Sequence, residues 1–202
     1  MERIICLAIG YVCGLLQSGY LVGKLHHIDI RKSGSGNAGS TNALRVMGWK
    51  AGLMTFAGDV LKCFAAVLIV RGLYHGSNCL ALLMMYAGAG VTLGHNFPFY
   101  MKFKGGKGIA TTGGVIFAFH WQLGLVCAAV FLIITIISKY VSLGSICMVL
   151  IIPFILYFNN PQDWKLVVVG CIFTAMAIWR HRANIGRLMN GTENKLGQKV
   201  KR

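Results

Sequence analysis

The sequence predicts an all-α fold: a polytopic membrane protein with seven transmembrane helices, its N-terminus outside and its C-terminus cytoplasmic. Three observations carry that expectation. The 202 residues are 56% hydrophobic and only 12% charged, with a mean hydropathy of +0.65, whereas a soluble domain carries about twice that charged fraction. Apolar runs recur along the whole chain, several close to the roughly 20 residues that cross a bilayer as a helix. The basic residues fall between those runs, and mostly between alternate pairs of them.

Taken in order, the runs are residues 4–22, 51–70, 79–93, 109–119, 123–138, 141–158 and 164–179. The first has the apolar core of a secretory signal. Glu2 spoils the basic start such a signal needs, and no A-x-A site follows, so it reads as an uncleaved span. Residues 109–138 carry no formal charge. A single helix of about 30 residues would be about 45 Å long, half as long again as a bilayer core requires. His120, Trp121 and Gln122 near its middle suit an interfacial turn, which divides it in two. Charge supports the division: with seven spans, sixteen of the twenty Lys and Arg residues share one face. Only Arg3, Arg71 and Lys165 lie on the other, and Lys62 lies within a span. With six spans, Lys139 and the basic tail change sides, against the positive-inside rule. No linker, repeat or low-complexity stretch marks a second unit, so residues 1–202 read as one domain.

The net charge of +15 would suggest nucleic acid in a soluble protein. Between apolar runs it suggests topology instead, and no nucleic-acid partner is expected. The seven cysteines show no C-x-x-C spacing. They read as small buried hydrophobes rather than a disulfide set or a zinc site.

Three polar clusters interrupt the apolar pattern. The first, "SGSGNAGSTNALRVMG", contains a literal G-x-G-x-x-G at Gly34, Gly36 and Gly39, with Asp59 twenty positions beyond. A dinucleotide fingerprint needs a preceding strand and a βαβ unit. Here the glycines follow an apolar span and Asp59 lies inside another, which excludes that reading. The physics of the glycines survives: they let backbone N–H groups turn toward an anion, and a following helix N-terminus adds partial positive charge. The cradle comprises Gly36, Asn37, Ala38, Gly39, Ser40, Thr41 and Asn42, flanked by Ser35 and by Arg45, which can bind phosphate bidentately.

The second cluster, "GHNFPFYMKFKGGKGIATTGG", sets Lys102, Lys104 and Lys107 around Gly105, Gly106 and Gly108. Lys107 is followed by Gly108 rather than Ser or Thr, so it is not a Walker A loop. Positive-inside anchoring accounts for Lys102 but not for the three glycines around Lys107 or for Thr111 and Thr112. The third, "WRHRANIGRLMNGTENKLGQK", follows the last span. His181 and Asn184 are three apart and share a face if the helix continues through them. Lys195, Lys199, Lys201 and Arg202 read as headgroup contacts or topology signals. All three clusters fall on one face, beside lipid. Two anion cradles there point to an enzyme that joins a phosphorylated polar molecule to an acyl chain.

On these residues the chain resembles the PlsY family, integral-membrane acyl-phosphate:glycerol-3-phosphate acyltransferases of bacteria. "SGNAGSTNALRVMG", "GHNFPFYMKFKGGKGIAT" and "NIGRLMNGTEN" match its three motifs in order, and the similarity covers nearly the whole chain. The resemblance implies transfer of a fatty acyl group from acyl-phosphate to the sn-1 hydroxyl of glycerol 3-phosphate, giving lysophosphatidic acid and phosphate at the cytoplasmic face of the inner membrane. It implies that Ser35, Arg45, Lys104, His181 and Asn184 hold glycerol 3-phosphate. The backbone of residues 36–42, with Thr41 and Lys107, would then hold the acyl-phosphate. The chain departs from the family in "LQSGYLVGKL", which lacks a Pro-containing turn, and at Cys63, where many members have Gly.

Asp59 and Lys62, three apart on one helix, read as a structural pair, and Glu193 as a residue of the outlying tail. No acidic or histidine cluster has metal-ligand spacing, so neither metal nor cofactor is expected. None of the six histidines has Asp five positions on, so the His-x-x-x-x-Asp motif of acyl-CoA-dependent acyltransferases is absent. A transporter of organic phosphate is the alternative, but transporters commonly show repeat symmetry and a midplane site, and neither is visible.

The charge asymmetry makes a prediction. Single cysteines at Gly36, Gly106 and Gly191, in a background without native cysteines, should all resist an impermeant thiol reagent applied outside. Labelling of position 191 but not position 36 would exclude seven spans.

Overall fold

The computed structural model describes residues 1–198; Lys199, Lys201 and Arg202 lie outside the described residues. Among the described residues there is no strand, in agreement with the all-α expectation. Ten α-helices follow one another: α1 (Glu2–Gly14), α2 (Ser18–Leu25), α3 (Ser40–Met47), α4 (Trp49–Leu73), α5 (Leu80–Asn96), α6 (Ile109–Phe119), α7 (Trp121–Ser138), α8 (Val141–Asn159), α9 (Trp164–Arg180) and α10 (Arg182–Met189). Two 3-10 turns, Ile30–Lys32 and Phe99–Met101, lie in the polar loops.

Four helical stretches are long and apolar enough to cross a membrane: Glu2–Leu25, α4, α7 and α8. The α9–α10 pair makes a fifth if its 61° bend is counted as one broken span. The remaining apolar runs form shorter helices, 17 residues in α5 and 11 in α6. The turn expected near His120 is present: His120 is extended (φ −153°, ψ 104°) and separates α6 from α7.

The first span differs from expectation, because residues 15–17 interrupt it. No proline makes the break. Instead, side chains in and around the break capture carbonyls that the neighbouring helix ends leave free. Gln17 Nε2 donates to the carbonyls of Gly14 (3.2 Å), Gly94 (3.2 Å) and His95 (3.1 Å). Tyr100 Oη donates to Leu15 O at 2.6 Å, and Lys62 Nζ to Leu16 O at 2.7 Å.

Helix α5 is the centre of the bundle, buried along most of its length and packed on α1, α4, α6 and α9. Its approach to α1 depends on missing side chains. A Cβ on Gly10 or Gly14 would strike the backbone of α5, and one on Gly90 or Gly94 the backbone of α1. Small residues let helices in lipid approach to backbone contact, where dispersion replaces the absent hydrophobic drive. Of the free cysteines, Cys6, Cys63 and Cys127 are buried as expected, Cys13, Cys79 and Cys147 are half-buried, and Cys171, against expectation, is exposed on α9.

Across α4 and α5 runs a buried ionic cluster. Lys62 Nζ lies 2.9 Å from Asp59 Oδ1 and 2.9 Å from His95 Nδ1. Pairing offsets the cost of burying each charge, whereas an orphaned partner is left uncompensated. Asp59→Ala or Lys62→Ala alone should therefore destabilise the fold by about 3–5 kcal/mol. The double variant Asp59→Leu/Lys62→Met should lose less than the two single losses added. Thermal unfolding in detergent checks this, and strict additivity would show that the two charges do not interact.

Candidate active site

The first loop is organised by one side chain. Asn42, 1% exposed, donates through Nδ2 to the carbonyls of Ile30 (3.2 Å), Ser33 (2.9 Å) and Asn37 (3.0 Å). Its Oδ1 accepts from Ser35 N at 2.9 Å. Gly34 (φ +60°) and Gly36 (φ +70°) supply the left-handed turns that wrap the loop around this amide. Helix α3 then starts with no side-chain cap, so the N–H groups of Ser40 and Thr41 have no intrahelical partner. Gly39, Ser40, Thr41 and Asn42 line a cavity of about 750 Å³, with Arg45 one turn further along α3. The uncapped start of α3 and Arg45 thus open onto one cavity. Ala38, 1% exposed, packs with Ile30 and Ala43 in a small core beneath it and is not among the residues lining this cavity.

The second loop is held differently from what the sequence suggests. The N–H groups of Gly105 and Gly106 donate to Asn96 O and His95 O at the end of α5, both at 3.1 Å, and so do not form an open cradle. Their carbonyls accept from Arg180, at 2.7 Å for Gly105 O from Nη2 and 3.0 Å for Gly106 O from Nε. A Cβ at Gly106 would meet the His95 ring, so only glycine fits between the ring and Arg180. Gly108 (φ +82°) caps α6, and Thr111 Oγ1 donates back to its carbonyl at 2.9 Å. The two threonines close the first turn of the helix, since Thr112 N also donates to Gly108 O at 2.8 Å. Lys107 is the group this bracing presents to the cavity.

At the third cluster the helix does not continue. It bends at His181, between α9 and α10, yet His181 and Asn184 both still line the cavity. His181 Nδ1 lies 2.7 Å from Ala177 O. A carbonyl only accepts, so Nδ1 carries a proton and neutral His181 keeps its Nε2 lone pair for a partner. The amide of Asn184 is held at both ends. Oδ1 accepts a short hydrogen bond from Lys107 Nζ, and Nδ2 donates to Glu193 Oε1 at 2.7 Å.

Glu193 is a correction to the sequence reading. It is not in an outlying tail: Gly191 (φ +67°) turns the chain back, and the carboxylate also accepts from Arg187 Nε at 2.7 Å and Ser142 Oγ at 3.0 Å. Burial raises its pKa, but the hydrogen bonds from Asn184, Arg187 and Ser142 outweigh burial and leave it below the ordinary value. Burial pushes Lys107 down to about 8, against the opposing pull of Glu193. Asp59, expected only as the structural partner of Lys62, reaches the cavity wall as well, and so does His95.

Outside this cavity lies a second, cationic depression of about 680 Å³, lined by Arg31, Lys102, Lys104, Arg180 and Arg182, with Gly36 and Gly105 in its floor. Ser35, Asn37 and Lys107 line both spaces. The predicted residues therefore divide. Arg45, His181 and Asn184 face the inner cavity, Lys104 the outer depression, and Ser35 the boundary. Arg180 was missed, because its sequence position reads equally well as a topology signal.

Away from its polar end the inner cavity is apolar. Ala110, Gly113, Gly114 and Phe117 on one face of α6 line it, between Leu53, Phe56, Val60 and Phe64 of α4 and Gly124, Cys127, Ala128 and Phe131 of α7. The site can thus accept an apolar chain at one end and phosphates at the other.

Known proteins share this fold and sequence. Residues 4–191 match the model of the glycerol-3-phosphate acyltransferase family. A glycerol-3-phosphate acyltransferase of Thermoanaerobacter sp. (strain X514) is 43% identical, over 99% of this chain and 98% of its own. One of Clostridioides difficile (strain 630) is 45% identical, over 97% and 96%. The crystal structure of PlsY, an integral membrane glycerol 3-phosphate acyltransferase, in its glycerol 3-phosphate form superposes with a TM-score of 0.88 at 33% identity, covering 98% of this chain and 96% of that one. Its lysophosphatidic acid form gives 0.86 at the same identity. By family model, by relatives and by fold, the chain belongs to the glycerol-3-phosphate acyltransferase family, that of PlsY.

Proposed function

We propose that this protein transfers a fatty acyl group from acyl-phosphate to the sn-1 hydroxyl of glycerol 3-phosphate, releasing lysophosphatidic acid and phosphate. It does so at the cytoplasmic face of a seven-span fold in the bacterial inner membrane. One observation carries the reading: an apolar cavity and a cationic depression meet at Ser35, Asn37 and Lys107. The forms in which the related PlsY was crystallised, with glycerol 3-phosphate and with lysophosphatidic acid, support acceptor and product of this class.

In this reading the acyl chain lies in the trough of α4, α6 and α7. The acyl-phosphate headgroup takes the free N–H groups of Ser40 and Thr41, with Lys107 opposite. Glycerol 3-phosphate sits across the boundary, with Ser35 and Lys104 on the outer side and Arg45, His181 and Asn184 on the inner side. Gly105, Gly106 and Ala38 serve by shape, bracing the loops. Asn184 acts largely through Lys107, whose ammonium its Oδ1 already accepts.

The acceptor hydroxyl attacks the acyl carbon, the bond from that carbon to the phosphate oxygen breaks, and phosphate leaves with the electron pair. Acyl-phosphate is a mixed anhydride with a good leaving group, so no covalent enzyme intermediate is required. Positioning and neutralisation of developing charge supply the rate. The hydroxyl proton passes to the acceptor's own phosphate, whose second pKa lies near 6 as for phosphorylated side chains. His181, with Nε2 free, accepts the hydroxyl hydrogen bond and orients it.

Purified protein given acyl-phosphate or acyl-CoA with a panel of phosphorylated acceptors, read by product mass, tests the reaction. Acyl-phosphate with glycerol 3-phosphate should give lysophosphatidic acid, undiminished by chelator, and acyl-CoA should give none. Turnover of acyl-CoA, or loss in EDTA restored by a divalent ion, overturns the proposal.

Lys107 adds a pH signature. Its ammonium is present below about 8 and is lost as pH rises through that value. The basic limb of kcat/KM for the donor, which reports the free enzyme, should therefore fall near pH 8. In Lys107→Arg, whose guanidinium does not titrate, overall activity should drop but the limb should move out of range. A limb unchanged in Lys107→Arg would assign it to another group.

A further inference from the structure

The trough has a structured end. Along α6 the lining residues Ala110, Gly113 and Gly114 are small, and Phe117, one turn beyond, is not. These positions share a single helix face, so a chain lying along the floor meets bare backbone and then an aromatic ring. Phe117 faces Phe64 of α4, with ring centroids 6.2 Å apart and planes at 42°. From α7, Gly124 presses on Phe117 from behind. A Cβ there would come within 2.6 Å of Phe117 Cα and 2.7 Å of its Cβ, so any larger residue must displace the phenylalanine or its helix. All three residues line the cavity, and they lie at its end remote from the anion cradle. From Gly108, which caps α6 at the polar end, to Phe117 is about 14 Å by helical rise.

We infer that Phe117, seated on Gly124 and facing Phe64, is a length gauge that sets which acyl chain this enzyme prefers. The inference rests on the proposed acyl transfer. A chain too short leaves the distal trough unfilled and forgoes the packing contacts of its missing methylenes with the trough wall. A chain too long must turn aside at the Phe117 ring, leaving its terminal carbons outside the trough. The ring does no chemistry, so its effect falls on discrimination among donors rather than on the reaction of the headgroup.

Acyl transfer to glycerol 3-phosphate, measured across a series of acyl-phosphates of increasing chain length, tests the gauge. Phe117→Ala should move the optimum of kcat/KM to longer chains. Phe117→Trp should move it to shorter chains, as should Gly124→Ala, which pushes the ring into the trough. The KM for glycerol 3-phosphate should not change in any of them. If Phe117→Ala fails to fold, Phe64→Ala opens the same end from α4 and decides the matter by the same shift. Variants that scale all chain lengths equally, while the wild type transfers normally, would overturn the gauge. Absence of transfer by the wild type at every length would overturn the proposed reaction, and the gauge with it.

Discussion

The ammonium of Lys62 is the tie on which the site depends. In one small volume it meets Asp59 on its own helix, His95 on α5 and the Leu16 carbonyl at the break of the first span. A protonated amine in a helical bundle is tolerated only when it finds partners. Here it makes two hydrogen bonds, to Leu16 O and His95 Nδ1, and an ion pair with Asp59, on three different parts of the chain. Satisfying that charge therefore registers α1, α4 and α5 against each other, more specifically than apolar packing alone, which accepts neighbouring registers at little cost. The His95 ring is fixed in turn, and the loop carrying Lys107 is laid upon it.

From that tie outward, the site is braced by side chains that each collect several backbone groups. Asn42 gathers three carbonyls and one N–H to shape the first loop, Gln17 gathers three carbonyls at the broken span, and Arg180 grips two carbonyls of the second loop. Phe97 supports Arg180, the guanidinium carbon lying 5.5 Å from the ring centroid. The N–H groups left over, at the start of α3, can receive an anion without moving, which is the electrostatic preorganisation that makes such sites effective.

Much of this was legible in the sequence, and what was not has physical reasons. Apolar run length placed α4 and α6 to α9 to within three residues at either end, because hydropathy over a bilayer width is a one-dimensional property. The glycines, Lys107, His181 and Asn184 stood out because their residue types have little reason to border an apolar span. The break at residues 15–17 was hidden, since its cause lies in Lys62 and Tyr100, far along the chain. Glu193 was misplaced because a turn at Gly191 reverses the chain, and such a turn has the same composition as a solvated tail. The role of Gly105 and Gly106 was misjudged for the same reason: sequence reveals that N–H groups are available to turn, not which carbonyls claim them.

The placement of the trough within the bundle has a consequence for what substrate concentration means. Leu53 and Phe56 on its α4 wall are 57% and 48% exposed to the surroundings of the bundle, whereas the cationic depression is rimmed by residues that belong to water. In the proposed reaction the donor arrives by lateral diffusion in two dimensions, as a mole fraction of lipid. The acceptor arrives in three, as a molarity. Diluting the membrane with inert lipid starves one side of the site and leaves the other untouched, so the two halves of a single catalytic centre answer to independent supplies.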